Sequence, residues 1–247
     1  VPEEHADRAV QARSFGAAAD AYERARPTYP EAAVDWLVPA GAGTVLDLGA
    51  GTGKLTRSLA ARGLEVIAVE PLAEMRANLA AALPEVRALT GTAEEIPLPD
   101  GSVDAITVAQ AWHWVDPERA TLEAARVLRP GGTLGLIWNR RDEQVEWVSR
   151  LSKVMGTASS EVIDMEEVRI GPPFGPTESF VTDWTRPMDV DLLVEMAASR
   201  SYVITASPKR RREILDGIRV LVEWEPGLGT EFDFPYRTYC FKAQLPL

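Results

Sequence analysis

The sequence predicts an α/β fold built on a doubly wound, mostly parallel sheet, and three observations carry that expectation. From Thr44 onward short apolar runs alternate with helical segments, the pattern of parallel strands joined by right-handed crossovers. The first run, Val45-Leu46-Asp47-Leu48, passes straight into the glycine-dense turn Gly49-Ala50-Gly51-Thr52-Gly53 and a helix. Such a turn brings backbone N–H groups and a helix start against something bulky and polar, because no Cβ blocks the approach. The length of 247 residues suits one α/β domain with additions better than two independent domains.

Each element follows from local pattern. Thr44 to Leu48 is the first strand, Lys54 to Arg62 a helix, and Glu65 to Val69 the second strand. Ala73 to Leu83 is an alanine-rich helix stopped by Pro84, and Arg87 to Thr90 a short third strand. Val103 to Ala109 makes the fourth strand, Glu118 to Leu128 a helix closed by Pro130-Gly131-Gly132, and Thr133 to Trp138 the fifth strand. Beyond Asn139 the rhythm changes. Asp142 to Met155 and Glu161 to Val168 have helical pattern, and Gly171-Pro172-Pro173-Phe174-Gly175-Pro176 is a breaker-rich loop. Phe180 to Trp184 and Tyr236 to Lys242 have strand character, with helices between them at Val190 to Arg200 and from the Ser207-Pro208 cap.

Composition limits the function classes. A formal charge of −11 and a pI near 4.8 argue against a polyanionic partner, so no nucleic acid is expected. No apolar segment approaches membrane-spanning length, and Val1-Pro2-Glu3-Glu4 lacks signal-peptide organisation, which predicts a cytoplasmic protein with no membrane partner. The single cysteine, Cys240, excludes an internal disulfide, a cysteine zinc cluster and three-cysteine iron–sulfur ligation; in its apolar run it packs as a small hydrophobe. No clustered Asp/His set is evident, so no metal site is expected.

Spacing sorts the ligands that a glycine turn can hold. A phosphate loop is out, because the position five before Gly53 is Leu48 and Leu55 follows Lys54. A dinucleotide fingerprint is weakened, because Lys54 stands where its third glycine belongs. What remains is Asp47-x-Gly49-x-Gly51-x-Gly53, with a second acid, Glu70, ending the run Val66-Ile67-Ala68-Val69. In these residues the chain resembles the class I S-adenosylmethionine-dependent methyltransferases, and in particular their type 11 methyltransferase domain. The resemblance implies a Rossmann-like, seven-stranded sheet with an antiparallel C-terminal hairpin, an N-terminal helical cover and a helical insertion after the fifth strand. One domain would span 1–247, with 1–40 as lid, 41–140 as cofactor-binding core and 141–247 as insertion and sheet completion. S-adenosylmethionine would then be held by Asp47, Gly49, Ala50, Gly51, Gly53, Glu70 and Pro71. A carboxylate in the place of Glu70 accepts two charge-assisted hydrogen bonds from a ribose diol. Lys54 is expected on the helix surface, since the ligand has no phosphate.

The segment Gly91-Thr92-Ala93-Glu94-Glu95-Ile96-Pro97-Leu98 matches the family's next motif, which puts Ala93 and Glu94 beside adenine; a plain helix start, with glutamates favoured by the dipole, accounts for the same residues. Ala109-Gln110-Ala111-Trp112-His113-Trp114 is similar to the corresponding segment of trans-aconitate methyltransferase-like proteins, which implies that Ala109 and Gln110 meet the cofactor and that Trp112 and Trp114 meet the acceptor. Tyr22 and Arg26, with Pro27 and Tyr29, are similar to the segment that closes over the cofactor.

The Asn/Asp-Pro-Pro-Tyr/Phe segment that many amino-group methylases of DNA and protein carry and the Pro-Cys nucleophile of cytosine-C5 methylases are absent, which disfavours base and glutamine methylation. The resemblance implies a small-molecule acceptor, methylated on oxygen, a carboxylate or hydroxyl, with carbon as the other target. His113 is a candidate general base and equally a packed histidine between two tryptophans. Trp147, Phe174, Trp184 and Tyr202 are candidates for a dry pocket wall. Arg140, with Arg141, follows the fifth strand and has the fork that matches a carboxylate. Lys209-Arg210-Arg211-Arg212 opens a helix whose apolar face is Ile214, Ile218, Leu221 and Val222, so the basic run is expected outward. The alternatives are an NAD(P)-dependent oxidoreductase and a non-catalytic cofactor-binding protein; the assembly is expected to be a monomer or homodimer.

Overall fold

The computed structural model describes residues 25–156 and 164–247. Its elements are α1 (Glu31–Leu37), β1 (Thr44–Leu48), α2 (Lys54–Ala60), β2 (Glu65–Val69), α3 (Ala73–Ala82), β3 (Arg87–Leu89) and β4 (Val103–Ala109), followed by α4 (Pro117–Val127) and β5 (Leu128–Arg141). The chain continues through α5 (Glu146–Met155), β6 (Glu178–Asp189), α6 (Val190–Ala198), α7 (Ser201–Ile204), α8 (Pro208–Trp224) and β7 (Glu231–Gln244). One seven-stranded sheet runs in the order β3-β2-β1-β4-β5-β7-β6. Its first five strands pair in parallel, and β1 lies at the centre of the reversal in strand order, between β2 and β4. In sheets of this kind ligands bind outside the strand carboxyl ends at that reversal.

The residues divide into two compact units. Unit 2 comprises Thr28–Asn139, Ile163–Thr182 and Thr238–Leu247, and so holds β1 to β4 whole and most of β5. Alternation along its strands separates two cores. Leu46, Leu48, Ile67, Val69, Ile106, Val108, Leu134, Leu136 and Trp138 point to one side and pack with α4 residues Ala120, Ala124 and Val127. Val45, Val66, Ala105 and Ile137 point to the other, against α1 and the α2 residues Leu55 and Leu59. Helix α1 can approach β5 because Gly135 has no side chain: a Cβ there would lie 2.8 Å from Leu37 Cδ2. Cys240 is buried in this second core, and burial pushes its thiol up to about 12.

Unit 1 comprises Val1–Pro27, Arg140–Val162 and Asp183–Arg237. Its core gathers Trp147, Val148 and Leu151 of α5, Leu193 and Met196 of α6, Ile214, Ile218 and Val222 of α8, and Phe232, Phe234 and Tyr236 of β7. Trp147 meets Phe232 and Phe234 edge-on, with centroids 5.7 and 5.5 Å away. Ser207 caps α8 by accepting from Arg210 N, and Lys209 to Arg212 face outward, where Lys209 and Arg210 pair with Glu213.

Several boundaries differ from the sequence expectation for identifiable reasons. The segment Glu161 to Val168 is not the expected helix in its described part: Asp164 accepts from Glu166 N through Oδ1 and from Glu167 N through its carbonyl, a local turn that competes with helix. Helix α5 begins at Glu146, not Asp142, because Asp142 Oδ1 accepts from Gln144 N and Asp142 N donates to Pro235 O. Strand β5 starts at Leu128, through Pro130-Gly131-Gly132, since Gly131 and Gly132 exchange hydrogen bonds with Leu245. Strand β6 extends from Glu178 to Asp189, and the expected single helix Val190 to Arg200 ends at Ala198 before the short α7. Among the described residues, no helix is long and apolar enough to cross a membrane.

Candidate active site

The glycine turn is tied to the end of β2 before any ligand is considered. Gly49 N and Ala50 N both donate to Val69 O, at 2.8 and 3.1 Å, and Gly53 N closes the turn on Ala50 O at 3.0 Å. Gly49, Gly51 and Gly53 all have positive φ, at 72°, 58° and 89°, a conformation that costs other residues about 1–2 kcal/mol. Their space differs. A Cβ at Gly49 would stand 2.9 Å from Ala111 Cβ, and one at Gly53 would stand 3.0 Å from Leu79 Cγ. At Gly51 nothing lies within 4 Å among the described residues, so its left-handed φ, and not packing against those residues, is what disfavours a side chain there.

Glu70 is fixed against that turn. Its Oε2 accepts from Gly51 N and its Oε1 from Leu72 N, both at 2.8 Å, while Arg76 Nη1 donates to the Glu70 carbonyl at 2.8 Å. Each carboxylate oxygen has two acceptor sites, and these bonds use one apiece, which leaves one on each oxygen for a diol. Burial raises the Glu70 pKa; the Leu72 and Gly51 amides and the Arg76 charge oppose that rise. Pro71 follows, between Glu70 and the Leu72 amide. Asp47 has the strand parity of Val45 and faces α2, where Thr56 Oγ1 donates to Oδ2 at 2.6 Å. It is wholly buried, its Oδ1 has no hydrogen-bond partner, and desolvation pushes its pKa up to about 7. Thr56 gave no sequence signal beyond standing on the inward side of the helix that follows the turn.

The segment after β3 is held by α4. Thr92 and Glu95 pair across a tight turn with Ala93 and Glu94 at its tip, and Glu94 Oε1 accepts from Asp116 N at 2.8 Å. Asp116 in turn caps α4 by accepting from Glu118 N and Arg119 N. Glu123 Oε1 accepts from Ile96 N at 2.9 Å, and Arg126 donates to the carbonyls of Ile96 and Leu98 at 3.0 and 2.9 Å. Ala93 is buried in the core beside Ile96 and Leu98.

After Ala109 at the end of β4, Gln110 takes φ 58°, the one left-handed non-glycine among the described residues. Its N donates to Ile137 O at 2.9 Å and its Nε2 to Asn139 O at 3.2 Å. Asn139 is buried and locked: its Nδ2 donates to Thr28 O at 2.8 Å, and its Oδ1 accepts from Thr238 Oγ1 at 2.6 Å. Asn139 carries no motif in the sequence and acts only through this set of bonds. Trp112 to Trp114 form a single 3₁₀ turn in which Trp112 is buried in the core and His113 tilts over Trp114 at 4.6 Å between centroids.

Unit 2 thus brings together Asp47, the three glycines, Ala50, Glu70 and Pro71, with Ala111 of the β4 loop against Gly49. Arg26 belongs to unit 1, where Nε donates to Ser199 Oγ at 3.0 Å and Nη2 to Ser199 O at 3.1 Å. Arg140 opens the second segment of unit 1, and Trp147, Trp184 and Tyr202 also lie there, while Phe174 packs in unit 2. Tyr22 lies outside the described residues. Among the described residues no three His, Cys, Asp or Glu side chains form a metal-binding group. The open face of Gly51 and the unused acceptor sites of Glu70 together fit a nucleoside with a vicinal diol.

Comparison with known proteins agrees with this geometry. Residues 46–136 match the family described as methyltransferase domain. An uncharacterised methyltransferase of Mycobacterium tuberculosis is 52% identical over 234 residues, which cover 94% of this chain and 96% of the relative. A structure described as a type II methyltransferase from Anaeromyxobacter dehalogenans is 27% identical with a TM-score of 0.68, covering 90% of this chain and 99% of that one. The fold is also that of a Haemonchus contortus phosphoethanolamine N-methyltransferase solved with S-adenosylhomocysteine, at 17% identity and a TM-score of 0.54, over 94% of this chain and 58% of that one. The match across nearly the whole length of the mycobacterial relative, together with the turn and its acid, makes this chain a member of the class I S-adenosylmethionine-dependent methyltransferases.

Proposed function

We propose that this methyltransferase acts on a small-molecule acceptor and methylates oxygen, on a carboxylate or a hydroxyl. The observation that supports the cofactor assignment is the pairing of an open Gly51 with a Glu70 carboxylate whose two oxygens each keep an acceptor site. Asp47, Gly49, Ala50, Gly53 and Pro71 shape this turn; Ala93 and Glu94 are assigned to the adenine, Ala109 and Gln110 to the cofactor's reactive end, and Tyr22 and Arg26 to its closure. A small-molecule acceptor is supported by the segment after β4, which reads Gln110-Ala111-Trp112-His113-Trp114 where many amino-group methylases of DNA and protein carry Asn/Asp-Pro-Pro-Tyr/Phe.

When bound, the sulfonium of S-adenosylmethionine supplies an already activated methyl group. The chain's task is then positioning, and holding an acceptor oxygen in line is worth up to ~7–11 kcal/mol. Trp112 and Trp114 are assigned to orienting the acceptor and excluding water, and Arg140 to an acceptor carboxylate. A carboxylate acceptor requires no base. A hydroxyl acceptor loses a proton, and His113 takes it.

Calorimetry with S-adenosylhomocysteine tests the cofactor residues. Glu70→Ala is expected to weaken binding at least about 100-fold, from the loss of two charge-assisted bonds of about 1.5–3 kcal/mol each. Gly51→Ala is expected to weaken it comparably; its Cβ meets nothing within 4 Å among the described residues, and its left-handed φ costs the fold about 1–2 kcal/mol, read separately as a lowered melting temperature. Unaltered affinity in both variants overturns the site. With an acidic acceptor in hand, Arg140→Ala is expected to raise KM strongly with little change in kcat; an unchanged KM removes that assignment.

A further inference from the structure

Helix α8, which lies wholly in unit 1, presents a row of charges that its own fold leaves largely unpaired. Arg212, Asp216, Arg219 and Glu223 are all exposed and follow one another at spacings of four, three and four residues. At about 100° per residue they fall within roughly 60° of arc, on the side away from the buried Ile214, Ile218 and Val222. A solvated helix face pairs such charges between neighbours one turn apart. Here the side chains of Arg212, Asp216 and Glu223 make no hydrogen bond or ion pair among the described residues, and Arg219 turns aside to Asp191 of α6, at 3.6 Å.

The signs along the row run plus, minus, plus, minus, an order that is its own complement when read backwards. Laid antiparallel on a second α8, the row sets Arg212 opposite Glu223 and Asp216 opposite Arg219 of the other copy, and a two-fold axis repeats both pairs. The ends of the helix carry the same asymmetry. Its opening run is Lys209-Arg210-Arg211-Arg212, with no acid in the first turn, while its last turn has no base and carries Glu223. Both ends oppose the dipole of their own helix, because acids are favoured at a helix start and cations at its end. An antiparallel second copy reverses that relation, since each basic start then lies beside the acidic end of the other helix. Val220 and Trp224, one turn apart on one flank of the row, are 55% and 77% exposed. In a two-fold pair these flanks face the same way, so the four apolar side chains border the seam together.

We propose that this face of α8 docks a second copy of the chain, as an antiparallel helix pair held across a two-fold axis by Arg212 to Glu223 and Asp216 to Arg219 ion pairs. Arg219 keeps enough donors in its fork to hold Asp191 and the second copy's Asp216 at once. The contact is defined by α8 alone, and neither the methyl donor nor the acceptor assigned above enters it. One helix pair buries less than a standard interface, so the dimer forms and separates with concentration.

Sedimentation velocity of the full chain over a series of concentrations reads the equilibrium, with an expected Kd on the order of 10–100 μM. Arg212→Glu and Glu223→Arg are each expected to raise that Kd at least about tenfold, because each sets like charges face to face. Glu223→Arg is the sharper test. It makes an acidic chain less negative, so net charge alone would tighten association, whereas the paired row predicts that it loosens. Combining both substitutions exchanges the two partners and is expected to restore the parent Kd. All these positions are exposed, so the variants are expected to melt with the parent when measured as monomers. A chain that stays monomeric up to about 1 mM, a Kd unmoved in both single variants, or a double variant no tighter than either single one overturns the proposal.

Discussion

Asp47 shows how far a residue's motif position and its physical state can diverge. The motif marks it as an acid beside the cofactor turn; the structure buries it completely, gives it Thr56 as its hydrogen-bond donor and pushes its pKa up to about 7. The folded carboxyl therefore holds its proton more tightly than the unfolded one, whose ordinary value is 3.8. Its contribution to stability is full below about pH 4 and drains away as pH rises toward 7. Relative to Asp47→Asn, the unliganded wild type is expected to lose up to about 4 kcal/mol across that interval, measured by denaturant titration at fixed pH steps. A flat difference would show that Asp47 is ionised throughout. The place of Glu70 at the end of the second strand was legible because an apolar run stops there, its role coming from the family resemblance, and the turn of three glycines was legible from their spacing after the first strand. Asn139 and Thr56 were not legible: Asn139 matters through Thr28 and Thr238, distant in sequence, and Thr56 through a bond to Asp47 that no spacing rule connects.

At the scale of elements, β1, β2 and β4 coincide with the sequence expectation to the residue, because each is a short apolar run bounded by turn residues. The three C-terminal-half strands were underestimated. β6 alternates exposed and half-buried side chains and includes Pro187, so its hydrophobic signal is faint, and β7 owes its length to partners on both sides. Helix α4 does more than cover the sheet, since its Arg126 grips the Ile96 and Leu98 carbonyls and its cap, Asp116, is itself held by Glu94. Arg126→Gln is expected to destabilise the fold by about 1–3 kcal/mol, the usual range for charged hydrogen bonds, and to speed amide exchange of Ile96 and Leu98 more than that of β1. Exchange rising equally in β1 would show a global effect and remove the local one.

For the whole molecule, the formal charge of −11 sets a negative background against which the donor turn works through backbone amides and one acid. Hydrogen exchange with and without S-adenosylhomocysteine maps the donor site on this scale. Added protection of at least about tenfold is expected at the Gly51 and Leu72 amides and across Thr92 to Glu95, all in unit 2. Protection absent from all of these segments would displace the ligand from the β1–α2 turn. The bond from the Gly51 amide to Glu70 has a further consequence for the history of such a chain. A main-chain donor survives every mutation except one to proline, and both bonds to this carboxylate, from Gly51 N and Leu72 N, are of that kind. Lineages descended from this scaffold are free to remodel what they methylate while the grip on the shared donor persists.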